Sequence, residues 1–135
     1  MSRGFGGRAR MVIQDEETVI YEYAPYNLNE ERYRNEAIIY DGLITISKIA
    51  LVDPEIHEKI KKRPSGKKQL IKKRIPRKAD YTTLIETGLI RVENSHFCWS
   101  ILSNGVGKIA MYIVFKIFDQ YQTEGALPEK IGYHV

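Results

Sequence analysis

Ile109-Ala110-Met111-Tyr112-Ile113-Val114-Phe115-Lys116-Ile117-Phe118 is the stretch on which the fold turns. Its large apolar residues, Ile109, Met111, Tyr112, Ile113, Val114, Phe115, Ile117 and Phe118, surround a helix axis over two turns. That distribution predicts a helix apolar on nearly all sides, set at the centre of a core. The helix is expected from about Val106 to Thr123, entered through Ser103-Asn104-Gly105 and stopped by Gly125 and Pro128. The unbroken apolar run within it, Ile109 to Phe115, is seven residues long. A bilayer span needs about twenty, so no membrane span is expected.

Working back towards the amino terminus, the chain changes to the two-residue rhythm of strands. Arg10 to Ile13 and Thr18 to Tyr23 read as two strands around a Gln14-Asp15-Glu16-Glu17 turn, the second with Val19, Tyr21 and Tyr23 on one face. Pro25 and Asn27-Leu28-Asn29 stop it, with Asn29 placed to cap a short turn through Arg34. Ala37-Ile38-Ile39-Tyr40, Asp41-Gly42 and Leu43-Ile44-Thr45-Ile46 then predict a two-residue hairpin, because glycine accepts the positive φ such a turn requires. Leu89 to Glu93 and His96 to Leu102 suggest another across Asn94-Ser95, preceded by a short helix between Asp80 and Gly88.

The expected fold is therefore α+β: a small single domain over residues 10–135, with roughly six short antiparallel strands in hairpins packed on the central C-terminal helix. At 135 residues the chain is long enough to bury roughly two thirds of its unfolded surface in one core. Nine Tyr, four Phe and one Trp argue against a disordered chain. Residues 1–9, rich in glycine and arginine, read as a flexible tail without the apolar core of a signal peptide, so a cytoplasmic location is expected. The tail's Arg3-Gly4-Phe5-Gly6-Gly7-Arg8 is similar to a single Arg-Gly-Gly element, for which a plain disordered tail is the simpler account.

Between the hairpins and the last helix lies an insertion of a different character. Lys59 to Lys78 holds eleven of the twenty-one Lys and Arg residues and no acid, while the rest of the chain carries ten basic residues against all seventeen acids. A segment of +11 thus interrupts a body of −7, hidden within a net charge of +4. Asp53-Pro54-Glu55 predicts a helix start and Pro64-Ser65-Gly66 a break, giving a helix over 53–63 whose early acids and late lysines complement its dipole. Lys67 to Ile75 is ambiguous: Gln69, Ile71, Lys73 and Ile75 alternate as in a strand, the reading preferred here, while Leu70 and Ile71 with Arg74 would suit a helical turn. Lysines beyond the helix need some offset to their mutual repulsion: phosphates on a partner, or the body's own acids at Asp15-Glu16-Glu17 and Glu30-Glu31. The expected nucleic-acid contacts are Lys59, Lys61, Lys62, Arg63, Lys67, Lys68, Lys72, Lys73, Arg74, Arg77 and Lys78.

Other residues with chemical potential have simpler readings. Cys98, the only cysteine, excludes an intramolecular disulfide and sits in the apolar string Phe97-Cys98-Trp99. Ser103 to Lys108 has a phosphate loop's glycines and lysine, but Leu102 takes the first glycine position and Ile109 follows the lysine, so a turn and helix cap are expected. His57, His96 and His134 have no metal-ligand spacing; a metal-free ribonuclease would need two of them to meet. Asp53, Glu55 and Lys59 have the residue types of a metal nuclease on what reads as a helix cap. Tyr21, Tyr23, Tyr26, Tyr33 and Tyr40 could stack bases on an exposed face, yet suit a core or protein interface better.

The sequence thus points to a non-enzymatic protein binding nucleic acid or another polyanion through phosphate contacts, with weak sequence specificity and no cofactor or metal. The alternatives are a protein-binding module, such as a small inhibitor, immunity factor or adaptor, and the ribonuclease. Oligomeric state is left open.

Overall fold

The computed structural model describes residues 3–135. In chain order its strands and helices are β1 (Phe5–Gln14), β2 (Thr18–Asn27), β3 (Gly42–Ser47), β4 (Glu55–Lys62), β5 (Lys68–Ile75), α1 (Tyr81–Glu86), β6 (Ile90–Glu93), α2 (Lys108–Glu124) and β7 (Lys130–His134). Five strands form an antiparallel sheet in the order β6-β3-β2-β1-β7, and β4 with β5 forms a separate two-stranded ribbon. The chain is an α+β domain with one long C-terminal helix laid on the sheet, as its periodicity predicts. Among the described residues no helix is long and apolar enough to cross a membrane.

The core lies between α2 and one face of the sheet. On α2, Ala110, Ile113, Val114 and Ile117 are fully buried, and Ile109, Met111 and Phe118 nearly so. They meet Val19, Tyr21 and Tyr23 of β2, Ile44 and Ile46 of β3, and Ile90 of β6, the inward set that strand alternation produces. Gly7 of β1 lets the helix approach: a Cβ there would stand 2.6 Å from Ile109 Cγ2 and 3.3 Å from Ile113 Cδ1. The buried tyrosines satisfy their hydroxyls. Tyr21 donates to the Pro128 carbonyl at 2.6 Å, and Tyr23 accepts from the Ser95 amide at 3.1 Å.

Four local expectations are corrected. Residues 5–9, read as part of a flexible tail, are the start of β1, a central strand paired with both β2 and β7. Gly7 serves the close approach of α2 and Gly6 that of β7. Ala37 to Tyr40 is no strand, because β3 pairs with β2 on one side and β6 on the other. The preceding loop is held by Asn35, whose side chain donates to the Pro25 and Ile39 carbonyls and accepts from the Ile39 amide. That arrangement sets Asn35 and Ile38 at φ of 47° and 53°. His96 to Leu102 likewise forms only an isolated bridge, Ile101 to Gly107, because β3 supplies the partner for β6. Finally, α2 is not buried on nearly all sides as its apolar residues suggest. Phe115 is 38% exposed, its ring edge-on to Tyr81 at 4.7 Å.

Candidate nucleic-acid interface

The basic insertion is an arm of two antiparallel strands, and the helix expected over 53–63 is corrected to β4. Ile56 and Ile60, the apolar residues such a helix would have to bury, are exposed here, and a helix of this length without a packed apolar face is marginal in water. The strand satisfies its backbone against β5, from Glu55 opposite Ile75 to Lys62 opposite Lys68. Asp53 does not cap a helix; its Oδ1 accepts from the Tyr121 hydroxyl at 2.8 Å.

The tip explains why Pro64-Ser65-Gly66 was misleading. The Gly66 amide donates to the Arg63 carbonyl at 2.9 Å, and the Arg63 amide to the Lys67 carbonyl at 2.8 Å. This is a three-residue hairpin loop: proline presets the first turn position, and Gly66, at φ 83°, supplies the left-handed residue that closes it. A proline and glycine that end a helix also join two strands.

Register assigns the side chains to faces, since opposed residues share one. One face carries Lys59, Lys61 and Lys73 with Gln69 and Ile71; the other carries Lys62, Lys68 and Lys72 with Ile56, Ile60 and Leu70. All of β4 is exposed, as is β5 up to Arg74. The arm's ion pairs among the described residues are internal: Lys72 with Glu58 at 3.6 Å and His57 with Glu55 at 3.3 Å. Arg63 donates through Nε to Gln69 Oε1 at 2.7 Å. Lys59, Lys61, Lys62, Lys67, Lys68, Lys73 and Lys78 have no ion pair or side-chain hydrogen bond among the described residues, and no arm cation reaches Asp15-Glu16-Glu17 or Glu30-Glu31. Asp15 instead accepts from the Glu17 and Thr18 amides, which hold its carboxyl below the usual range.

Two of the eleven basic residues lie at the root of the arm. Arg74 donates through Nε to the Gln122 carbonyl at 3.1 Å, its guanidinium passing over Gly125. The Gln122 side chain, only 3% exposed as a residue, grips the Arg77 backbone, accepting from its amide and donating to its carbonyl. With Tyr121 holding Asp53, the last turns of α2 clamp both ends of the arm. Nothing in the sequence marks Gln122 and Tyr121, because a polar residue near a helix terminus normally faces water; only the burial of Gln122 exposes its role.

The remaining candidates are dispersed. His57 is on the arm, His96 Nδ1 meets Asp41 at 2.9 Å, and His134 Nδ1 meets the Tyr26 hydroxyl at 2.7 Å. Asp41, Ser95 and His96 have the residue types of a hydrolase triad, but Ser95 Oγ donates to Asp41 rather than to His96 and accepts from the Phe97 amide. An activated serine needs the histidine as its base. Cys98 is partly buried, and that burial pushes its thiol up. The loop before α2 has its amides in use: Asn94 accepts from Gly107 and donates to the Gly105 carbonyl. Tyr21 and Tyr23 are core residues, and Tyr40 packs under Arg10 at 3.9 Å. Among the described residues no group of three or more His, Cys, Asp and Glu is placed to hold a metal. Compared with known proteins, the chain matches no family model, no curated protein and no solved structure.

Proposed function

We propose that the protein binds nucleic acid through the β4–β5 arm, by contacts to phosphate and without strong sequence specificity. The observation that carries this reading is the arm's isolation: between residues 55 and 75 nine basic residues stand against two acids, on a ribbon exposed along nearly its whole length. Holding so many unpaired cations together is unfavourable, and a polyanion relieves it while releasing its own counterions. The clamp at Gln122 and Tyr121 fixes the root, so the arm is presented rather than trailing. Lys59, Lys61, Lys62, Arg63, Lys67, Lys68, Lys72 and Lys73 make the contacts, with Lys78 and the Arg77 side chain as outlying additions. Arg74 is chiefly a positioning residue.

The binder has no catalysis of its own in this reading. The wiring of Ser95 onto Asp41, and the separate settings of the three histidines, support it. A second reading is favoured by one observation: Ile56, Ile60 and Leu70 are each more than half exposed on one face of the arm, as on a surface that docks an acidic protein.

The test is binding to unrelated DNA and RNA, duplex and single-stranded, across a salt series. With about six cations engaged, log affinity should fall with log salt at a slope near −5 on duplex DNA. Changing Lys67, Lys68, Lys72 and Lys73 together to Gln should remove that binding with little change in melting temperature, since exposed charges contribute little to folding. A flat salt response, or no binding at low salt, would reject the proposal. Incubation with labelled RNA and DNA should leave both intact; cleavage by the parent but not by a His57→Ala, His96→Ala variant would restore the ribonuclease.

A further inference from the structure

The two faces of the arm carry nearly equal charge, and this determines the kind of nucleic acid that fits it. A ribbon that lies flat on one phosphate backbone needs cations on one face only. Here Lys59, Lys61 and Lys73 project from one face and Lys62, Lys68 and Lys72 from the other, with Arg63 and Lys67 at the tip between them. Cations on opposite faces can be neutralised together only where phosphates stand on both sides. We infer that the arm stands on edge in the major groove of duplex DNA, each face turned to one of the two backbones that wall the groove. This inference rests on the nucleic-acid reading of the arm and names its substrate.

The dimensions agree. A sheet with its side chains occupies roughly 10 Å from face to face, matching a major groove about 12 Å wide, whereas the minor groove is about 6 Å wide. Two strands about 4.8 Å apart, with their backbone edges, fill a groove about 8.5 Å deep. Eight residues per strand span roughly 26 Å, enough for about six to eight base pairs. Duplex RNA presents a deep, narrow major groove that excludes such a ribbon. With the faces turned to the walls, the strand edge nearest the bases presents only backbone amides and carbonyls, so weak sequence preference follows from the same orientation. Ile56, Ile60 and Leu70 then lie along the sugars of one groove wall rather than in open water.

Two triple variants of the full chain test the orientation: Lys59, Lys61 and Lys73 to Gln, and Lys62, Lys68 and Lys72 to Gln. Each is measured on a 20-base-pair DNA duplex across salt, beside methylation protection with dimethyl sulfate, which reports guanine N7 in the major groove and adenine N3 in the minor groove. The groove arrangement predicts that each triple lowers the salt slope by a similar amount, about two to three. It also predicts protection at guanine N7 but not adenine N3, and weaker binding to a duplex RNA of the same sequence. Loss confined to one triple would show a ribbon lying flat on one backbone. Protection at adenine N3 alone would place it in the minor groove, and equal binding to RNA would remove the groove requirement. Any of these overturns the inference while leaving nucleic-acid binding intact. Failure of the parent protein to bind any duplex or single strand at low salt rejects both, and binding only to an acidic protein moves the arm to the other class of partner.

Discussion

The body and the arm obey opposite rules. In the body the sheet and α2 are held by burial: Tyr21, Tyr23, Ile44, Ile46, Ile113 and Ile117 are all removed from water, and each strand has neighbours on both sides or a helix across one face. In the arm two strands hold only each other, with every residue of β4 exposed. A two-stranded hairpin is marginal in water by itself. Its root is fixed because α2 reaches it through Tyr121 and Gln122; its far end is held by the backbone ladder, the tip turn and the Arg63–Gln69 hydrogen bond. A protein that invests its apolar residues in one region and leaves its charge on another separates stability from contact. Changes to the body should alter folding and changes to the arm should alter binding.

The largest effects should come from the core. Ile117→Ala removes a fully buried side chain between helix and sheet and should cost about 2 to 5 kcal/mol, read by denaturant unfolding. A loss under 1 kcal/mol would mean that α2 is not the packing centre. Gln122→Ala strikes the junction. It orphans the Arg77 amide and carbonyl in a partly buried site, at about 1 to 3 kcal/mol, and should raise amide exchange at the arm's root while leaving β1 and β2 protected. Uniform acceleration across the whole chain would deny that arm and body are separate units. Phe115→Ala, which the sequence alone places among core substitutions of about 3 to 5 kcal/mol, should cost only about 1 to 2 kcal/mol, because the ring is partly in water and packs on Tyr81.

The smallest effects are those of pH, and they too belong to the body. Burial, then the nearby Arg8 and Lys116 charges, hold the His134 imidazole below its ordinary value of 6.5. The unfolded chain therefore binds this proton more readily, and stability should decline as pH falls through and below 6.5; His134→Phe should flatten that decline. At the alkaline end, burial pushes Tyr21 well up and Tyr23 to about 12. The folded state favours the neutral phenols, so their stabilisation is complete below pH 10 and is lost as pH rises beyond it. A melting temperature that holds level from pH 10 to 12 would show those hydroxyls to be hydrated.

How much was legible follows the same division. The helix at 108–124, the β1–β2 hairpin and the short helix capped by Asp80 were readable because burial imposes a period on the sequence. Asp80 accepts from the Thr83 amide as the cap reading requires. The arm imposes no such period: with both faces in water, acids and lysines can sit at any position, and a helix dipole accounts for their order as well as a strand does. Gly6 and Gly7 suggested a tail because their purpose, room for α2 and β7, depends on residues more than a hundred positions away. Asp41-Gly42 suggested a turn, whereas Asp41 binds Ser95 and His96 and Gly42 pairs with Tyr23. Charge composition located the cationic residues of the candidate site; only the fold sorted them into two faces, a tip and a root.

An amide chemical-shift titration of the full chain with a short DNA duplex shows most directly whether the arm is the binding surface. Shifts should concentrate in residues 57–73 and fade at the clamp formed by Tyr121 and Gln122, with the amides of β2, β3 and the buried side of α2 unmoved. Shifts centred instead on the outer face of the sheet, around Arg8, Tyr26 and His134, or no shifts at low salt, would contradict the claim that the arm is where this protein meets its partner.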